Sequence, residues 1–216
     1  MWWLKFTNGN VWLSGNDFSV ILAGYLLGCF TTGYYLVRFR TGEDIRRQGS
    51  GSVGARNVGR LLGPLGFFIT LCFDLAKGAL IVEVANHFGL GSWAMMLAIW
   101  AVVAGHIWPV QLRFRGGKGI ATSLGALLLY DGTLILSMAV ICLIALALIR
   151  RFTLSGLLAF AVSPVVVFAC DRGMTEQVGI SVLAILILIA HRKNIREEID
   201  RILLHSEMKE KQSHPH

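Results

Sequence analysis

Six apolar runs of spanning or near-spanning length alternate with short polar segments: Phe18–Val37, Leu65–Ala85, Trp93–Leu112, Leu134–Ile149, Leu154–Cys170 and Val178–Ala190. Runs this long and this apolar predict helices whose surroundings are lipid or other helices. A seventh run, Ile120–Tyr130, covers about 16 Å at helical rise and is too short to cross a bilayer unaided. Two readings compete for Ile120–Ile149: one long tilted helix, or two helices with a turn at Asp131-Gly132.

Charge decides between them. With the turn, the loops alternate and one side receives Arg38 to Arg60, Arg113 to Lys118, Arg150-Arg151 and the tail from Arg192, seventeen Lys and Arg in all. The other side receives only Lys5 and Arg172. A single helix would scatter basic loops onto both faces, against the positive-inside rule. The pattern predicts an all-α, polytopic membrane protein of seven transmembrane helices, N-terminus outside and C-terminus cytoplasmic. The short fourth helix is expected to complete its span by taking in Gly116–Gly119. Residues 1–216 read as one integral membrane domain without internal repeats, ending in a short surface helix from Glu197 and a flexible tail at about 206–216. Trp2, Trp3 and Trp12 predict an N-terminal segment at headgroup level. Met1 to Asp17 has no signal-peptide pattern.

Composition supports this class. Of 216 residues, 55% are hydrophobic and 15% charged, too little polar material for a soluble domain of this size. The net charge of +7 lies in short loops rather than in a basic domain, so no nucleic-acid partner is expected. Cys29, Cys72, Cys142 and Cys170 lie in or beside apolar runs, without metal-ligand spacing or a disulfide framework. No metal or cofactor is expected, and nothing in the chain speaks to oligomeric state.

Candidate chemistry concentrates in three polar segments that the loop count puts on one face: Gly49–Asn57, Arg115–Gly119 and His191–Asn194. Glycines let backbone N–H groups converge on an oxyanion, and Arg and Lys neutralise it. Gly49, Gly51 and Gly54 alternate with Ser50 and Ser52, ahead of Arg56, Asn57 and Arg60; the bland alternative is a flexible linker. Gly116, Gly117, Lys118 and Gly119 lead directly into a helix, joining a positive dipole end to a cation; the alternative is an ordinary positive-inside loop. This is no Walker A loop, because Lys118 precedes Gly119 and residue 112 is Leu. His191 and Asn194 can share a helix face, His191 as general base, phosphate donor or interfacial residue. His106 either orients the following loop or touches substrate. Asp74 and Lys77, i and i+3 inside the second long run, form a structural ion pair or meet substrate directly. The H-x4-D, G-x-S-x-G and H-E-x-x-H patterns are missing outside the tail, where His205 and Glu210 stand at the first spacing. Catalysis would then rest on positioning and charge.

Gly49–Arg60, Asp74-x-x-Lys77-Gly78, Gly105-His106-x-x-Pro109-Val110, Arg113–Thr122 and His191–Ile195 together resemble, in order and spacing, the bacterial membrane glycerol-3-phosphate acyltransferases that use acyl phosphate. The resemblance runs from about Leu22 to Glu207, and Phe114–Thr122 is its most specific part. It implies a seven-helix fold in the bacterial inner membrane, with a cytoplasm-facing site. The implied reaction acylates the sn-1 hydroxyl of glycerol 3-phosphate to lysophosphatidate. It also implies roles for Ser50, Arg60, Lys118, His191 and Asn194. Separately, backbone N–H groups of both glycine-rich loops are expected to stabilise the oxyanion. Acyl phosphate, glycerol 3-phosphate and membrane lipid are the implied partners. The chain departs from the family pattern at Ser52 (usually Asn), Arg56 (usually Thr) and Lys193 (usually Glu). It also has Leu154-Ser155-Gly156-Leu157 where S-L-A-S is common. A transporter or binding protein for a phosphorylated solute, or an acyltransferase with another acceptor, are the rival readings.

Overall fold

The computed structural model describes residues 13–200 apart from Ile199, and within them the regular structure is helical. In chain order the α-helices are α1 (Gly15–Cys29), α2 (Thr32–Thr41), α3 (Ala55–His87), α4 (Ser92–Ile107), α5 (Ile120–Tyr130), α6 (Gly132–Ile149), α7 (Phe152–Ala169) and α8 (Met174–Ala190). Single 3-10 turns stand at Ile45–Arg47 and Val110–Leu112. Five stretches have the length and apolarity to cross a membrane: Gly15–Thr41, Ala55–His87, Ser92–Leu112, Gly132–Ile149 and Phe152–Ala169. A sixth is formed if α8 and Arg192–Glu198, bent by 62° from each other, count as one. The expected Trp-bearing segment and the residues beyond 200 lie outside the described residues.

Between α5 and α6, Asp131 makes the turn. Its carboxylate accepts from the Thr133 and Leu134 N–H groups, capping α6, and pairs with Arg172 at 3.0 Å. The two-helix reading of Ile120–Ile149 therefore holds. The expected extension of the fourth helix does not. Gly119 sits in the left-handed region (φ 82°) and α5 starts only at Ile120. Gly116 and Gly117 instead donate their N–H groups to Ile107 O (3.0 Å) and His106 O (2.9 Å), folding back onto the end of α4. These two bonds satisfy the N–H groups of the non-helical stretch within the protein. α5 packs closely along α3. A Cβ on Gly78 would lie 2.0 Å from Thr122 O, and one on Gly125 would lie 2.0 Å from Leu75 O, so only glycine lets these backbones approach.

Two further boundaries differ from the apolar runs. The first run breaks between α1 and α2, exposing carbonyls that a continuous helix would have used. Lys77 Nζ takes up Phe30 O (3.1 Å) and Gly28 O (3.4 Å), and Gln111 Nε2 donates to Cys29 O. The second run begins ten residues earlier than Leu65, at Ala55, and kinks at Gly63 (φ 74°) before Pro64. Proline cannot donate to the preceding turn, so the kink falls there. The short polar arm 55–62 thereby carries Arg56, Asn57 and Arg60 on helical backbone.

Candidate anion-binding site

All three polar segments meet at one cavity of about 620 Å³, together with Thr153 of α7. Ser50, Gly49, Gly51, Arg60, Gly116, Gly117, Lys118 and Asn194 line it, as do Arg56, Arg115 and Arg192. An adjoining cleft of about 320 Å³ is lined mainly by carbon, with Phe67 and Leu71 of α3, Leu124 of α5 and Phe152 of α7 on its walls. Ser50, Arg56, Arg60, Lys118, Thr153 and Asn194 line both spaces and mark their junction. Gly119, His191, Asn57, Asp74 and His106 border the cleft; Lys77 borders neither.

The first loop is organised from within. Buried Asn57 donates its amide to Gln48 O (3.0 Å) and Ser52 O (2.9 Å), and its Oδ1 accepts from the Ser50 N–H (3.0 Å). A Cβ on Gly49 would stand 2.2 Å from that Oδ1. Asn57 is thus the tether of the loop, with its amide committed to protein, and Ser50 is left on the cavity wall.

Those contacts take up several of the backbone N–H groups that the two glycine-rich loops are expected to offer an oxyanion. The N–H groups of Ser50, Gly51, Gly116 and Gly117 are committed to Asn57 Oδ1, Gln48 O, Ile107 O and His106 O. Helix ends carry the remaining polarity. α3 and α5 start at Gly54 and Gly119, neither with a side-chain cap, and both starts border the cleft beside the cations. Uncapped N-termini favour an anion there.

Lys118 hydrogen-bonds Asn194 Oδ1, joining the α4–α5 loop to the helix after α8. Burial pushes the Lys118 ammonium below its ordinary pKa; Glu197 opposes this, and Arg56 and Arg60 add to it. Among the described residues no carboxylate lies in ion-pair contact with Lys118. Arg56, one helical turn before Arg60, donates to the Thr153 hydroxyl.

His191 caps α8, buried, with Nδ1 2.8 Å from Ile187 O. A carbonyl only accepts, so Nδ1 carries the proton and Nε2 keeps its lone pair. Burial lowers its pKa to about 4, against the Ile187 hydrogen bond and with help from the Lys118 charge. The imidazole is therefore neutral at physiological pH.

Behind the cavity lies a second charged cluster. Lys77 Nζ stands 2.9 Å from Asp74 Oδ1 and 2.7 Å from His106 Nδ1. The ammonium has no lone pair, so His106 Nδ1 accepts and Nε2 carries the proton. A Cβ on Gly117 would be 2.0 Å from His106 Nε2, so the imidazole packs directly under the glycine-rich loop. Asp74 and Lys77 are thus ion-paired, with His106 joined to them under the loop, while Asp74 and His106 also border the apolar cleft. Arg56, read in the first polar segment and as a departure from the family pattern, lines the cavity, and so does Thr153, which the sequence reading did not single out. The i, i+4 spacing of Arg56 to Arg60 was a usable signal; Thr153 carried none.

The fold and the cavity define a helical integral membrane protein with a concentration of cations at one end of the bundle. Residues 18–201 match the sequence profile described as glycerol-3-phosphate acyltransferase, and the chain belongs to that family. It is 49% identical to glycerol-3-phosphate acyltransferase 1 of Desulfitobacterium hafniense (strain Y51) over 185 residues, covering 86% of this chain and 92% of that one. It is 41% identical to the glycerol-3-phosphate acyltransferase of Synechococcus sp. (strain JA-2-3B'a(2-13)) over 76% of this chain and 80% of the relative. Among solved structures, the glycerol 3-phosphate form of PlsY (YgiH), an integral membrane glycerol 3-phosphate acyltransferase, superposes with a TM-score of 0.79. That pair shares 30% identity over 86% of this chain and 93% of the other. The lysophosphatidic acid form gives 0.76 at 29% identity.

Proposed function

We propose that this chain transfers an acyl group from acyl phosphate to the sn-1 hydroxyl of glycerol 3-phosphate, releasing lysophosphatidate and inorganic phosphate. The observation that carries this reading is the joined pair of spaces. A cationic cavity suits two phosphates, and the apolar cleft suits an acyl chain whose reactive end stops at Arg56, Arg60 and Lys118.

In this reading Arg60, Lys118 and Asn194 hold the phosphates, each charge-assisted contact contributing on the order of 1.5–3 kcal/mol. Ser50 stands at the reacting end as a hydroxyl partner. The neutral His191 accepts the hydroxyl proton at Nε2 while the hydroxyl oxygen attacks the acyl carbon. The C–O bond to phosphate then breaks, the phosphate leaves with the electron pair, and the proton passes on to it. Positive charge at the junction stabilises the oxyanion that forms between these steps. The same reading takes the chain as a single domain crossing the bacterial inner membrane seven times, α5 being the short fourth crossing. It puts the N-terminus outside and both the C-terminus and the cavity in the cytoplasm, as the basic loops favour.

Purified protein in detergent, given palmitoyl phosphate and labelled glycerol 3-phosphate, is expected to form labelled lysophosphatidate and phosphate in equal amounts. Binding without turnover, or passage of unmodified glycerol 3-phosphate into vesicles, overturns the proposal.

A further inference from the structure

A separate cavity of about 530 Å³ lies beside the catalytic one, where α2 and the α4–α5 loop leave the membrane-spanning segments. Its walls are cross-linked. Arg46 makes an ion pair with Asp44 at 2.7 Å, donates to Leu112 O at 2.7 Å and lies 5.1 Å over the Tyr34 ring. The Arg46 hydrogen bond holds the Asp44 carboxyl below its ordinary pKa, so this acid and this arginine cancel. Arg47, Arg113 and Arg115 also line the space, and among the described residues no further carboxylate lines it to balance them. Arg113 and Phe114 both hold left-handed backbone (φ 55° and 59°), a conformation non-glycine residues keep where surrounding structure imposes it.

An exposed aromatic column adjoins this cavity through Gln111. Gln111, on its wall, approaches the Tyr35 hydroxyl at 3.5 Å. Tyr35 stacks on Phe30 with ring centroids 5.1 Å apart. Phe39, one turn along the same face of α2, is 87% exposed. Unbalanced cations beside an exposed aromatic column, at the ends of two spans, match a molecule with an anionic head and an apolar body.

We propose that this cavity binds the phosphate headgroup of an anionic membrane lipid, with the lipid's acyl chain along Phe30, Tyr35 and Phe39. Arg47 and Arg113 supply the charge, pre-set by the Arg46–Asp44–Leu112 brace. Arg115, which lines both cavities, is the wall between this site and the catalytic one.

The full-length protein in neutral detergent, titrated with phosphatidylglycerol and read by native mass spectrometry, tests this without relying on turnover. The wild type is expected to retain one phosphatidylglycerol about thirtyfold more tightly than Arg47→Gln/Arg113→Gln, and each single variant about fivefold less tightly than wild type. Melting temperature and acyl transfer stay unchanged in the single variants, which keeps the test valid if the double variant is unstable. The Lys118→Ala protein retains the lipid as wild type does, because the catalytic cavity is not its seat. Equal retention by wild type and the single variants overturns the proposal, and so does equal retention of phosphatidylcholine. Displacement by inorganic phosphate at the lipid's own concentration also overturns it, reassigning the cavity to soluble anions.

Discussion

Lys77 and Lys118 are both taken out of bulk water, and the molecule treats them oppositely. Lys77 is fully partnered: Asp74 at 2.9 Å, His106 at 2.7 Å and two backbone carbonyls at the α1–α2 break. Lys118 has Asn194, a neutral partner in contact, and shares its field with Glu197 on one side and Arg56 and Arg60 on the other. A buried cation with a carboxylate against it is a structural element, because its charge is already answered. One held by an amide, with a carboxylate acting only from outside contact distance and two arginines beside it, is in a state that an arriving anion completes.

The largest expected effect falls on the paired side. Lys77→Met leaves Asp74 uncompensated and the α1–α2 carbonyls bare, and should cost about 3–5 kcal/mol of stability. Thermal unfolding in detergent reads this loss, and Asp74→Leu added to Lys77→Met should recover part of it. If Lys77→Met melts like the wild type, the two lysines do not differ in the way described. On the open side, Lys118→Ala should lower kcat/KM by roughly two to three orders of magnitude with little change in melting temperature. An active Lys118→Ala enzyme removes the phosphate clamp.

His191→Gln sharpens the contrast further, with an expected loss of about two orders of magnitude in kcat and little change in KM. Retained kcat with a raised KM would make His191 a binding group only. The pH profile adds a signed check. With its pKa lowered to about 4, His191 is an unprotonated base above that value and loses competence only as pH falls through it. A substrate phosphate near pKa 6 gives a separate acid limb. The limb near 4 should vanish in His191→Gln while the limb near 6 persists. The smallest effect is expected at Arg56→Thr. Lys118 and Arg60 remain there, so KM for acyl phosphate should rise roughly five- to tenfold, readable by steady-state kinetics.

The long apolar runs made the spans legible, and the one-sided distribution of Lys and Arg made the Asp131 turn legible. What escaped was set by partners distant in sequence. The break after Cys29 is stabilised by Lys77 and Gln111, some fifty and eighty positions away, and within Phe18–Val37 only the short Thr31-Thr32-Gly33 stands near it. The first turns of α3 were hidden because Arg56, Asn57 and Arg60 are polar, although Gly63-Pro64 marked the kink that separates them from the apolar part. The site segments were legible as phosphate chemistry, since glycine and cations cluster in each. The direction of their N–H groups was not. Gly116 and Gly117 read as donors for a ligand, and only the fold shows His106 O and Ile107 O using them.

The meeting of a polar cavity and an apolar cleft at Arg56, Arg60 and Lys118 has a kinetic corollary. Two such substrates would be measured on different scales, one as molecules per volume of water and the other as molecules per area of lipid. Adding inert lipid or detergent at constant protein and constant total acyl phosphate thins the second population without changing the first. Turnover would then fall by surface dilution alone, and a Michaelis constant for the acyl donor would have meaning only as a mole fraction in the membrane.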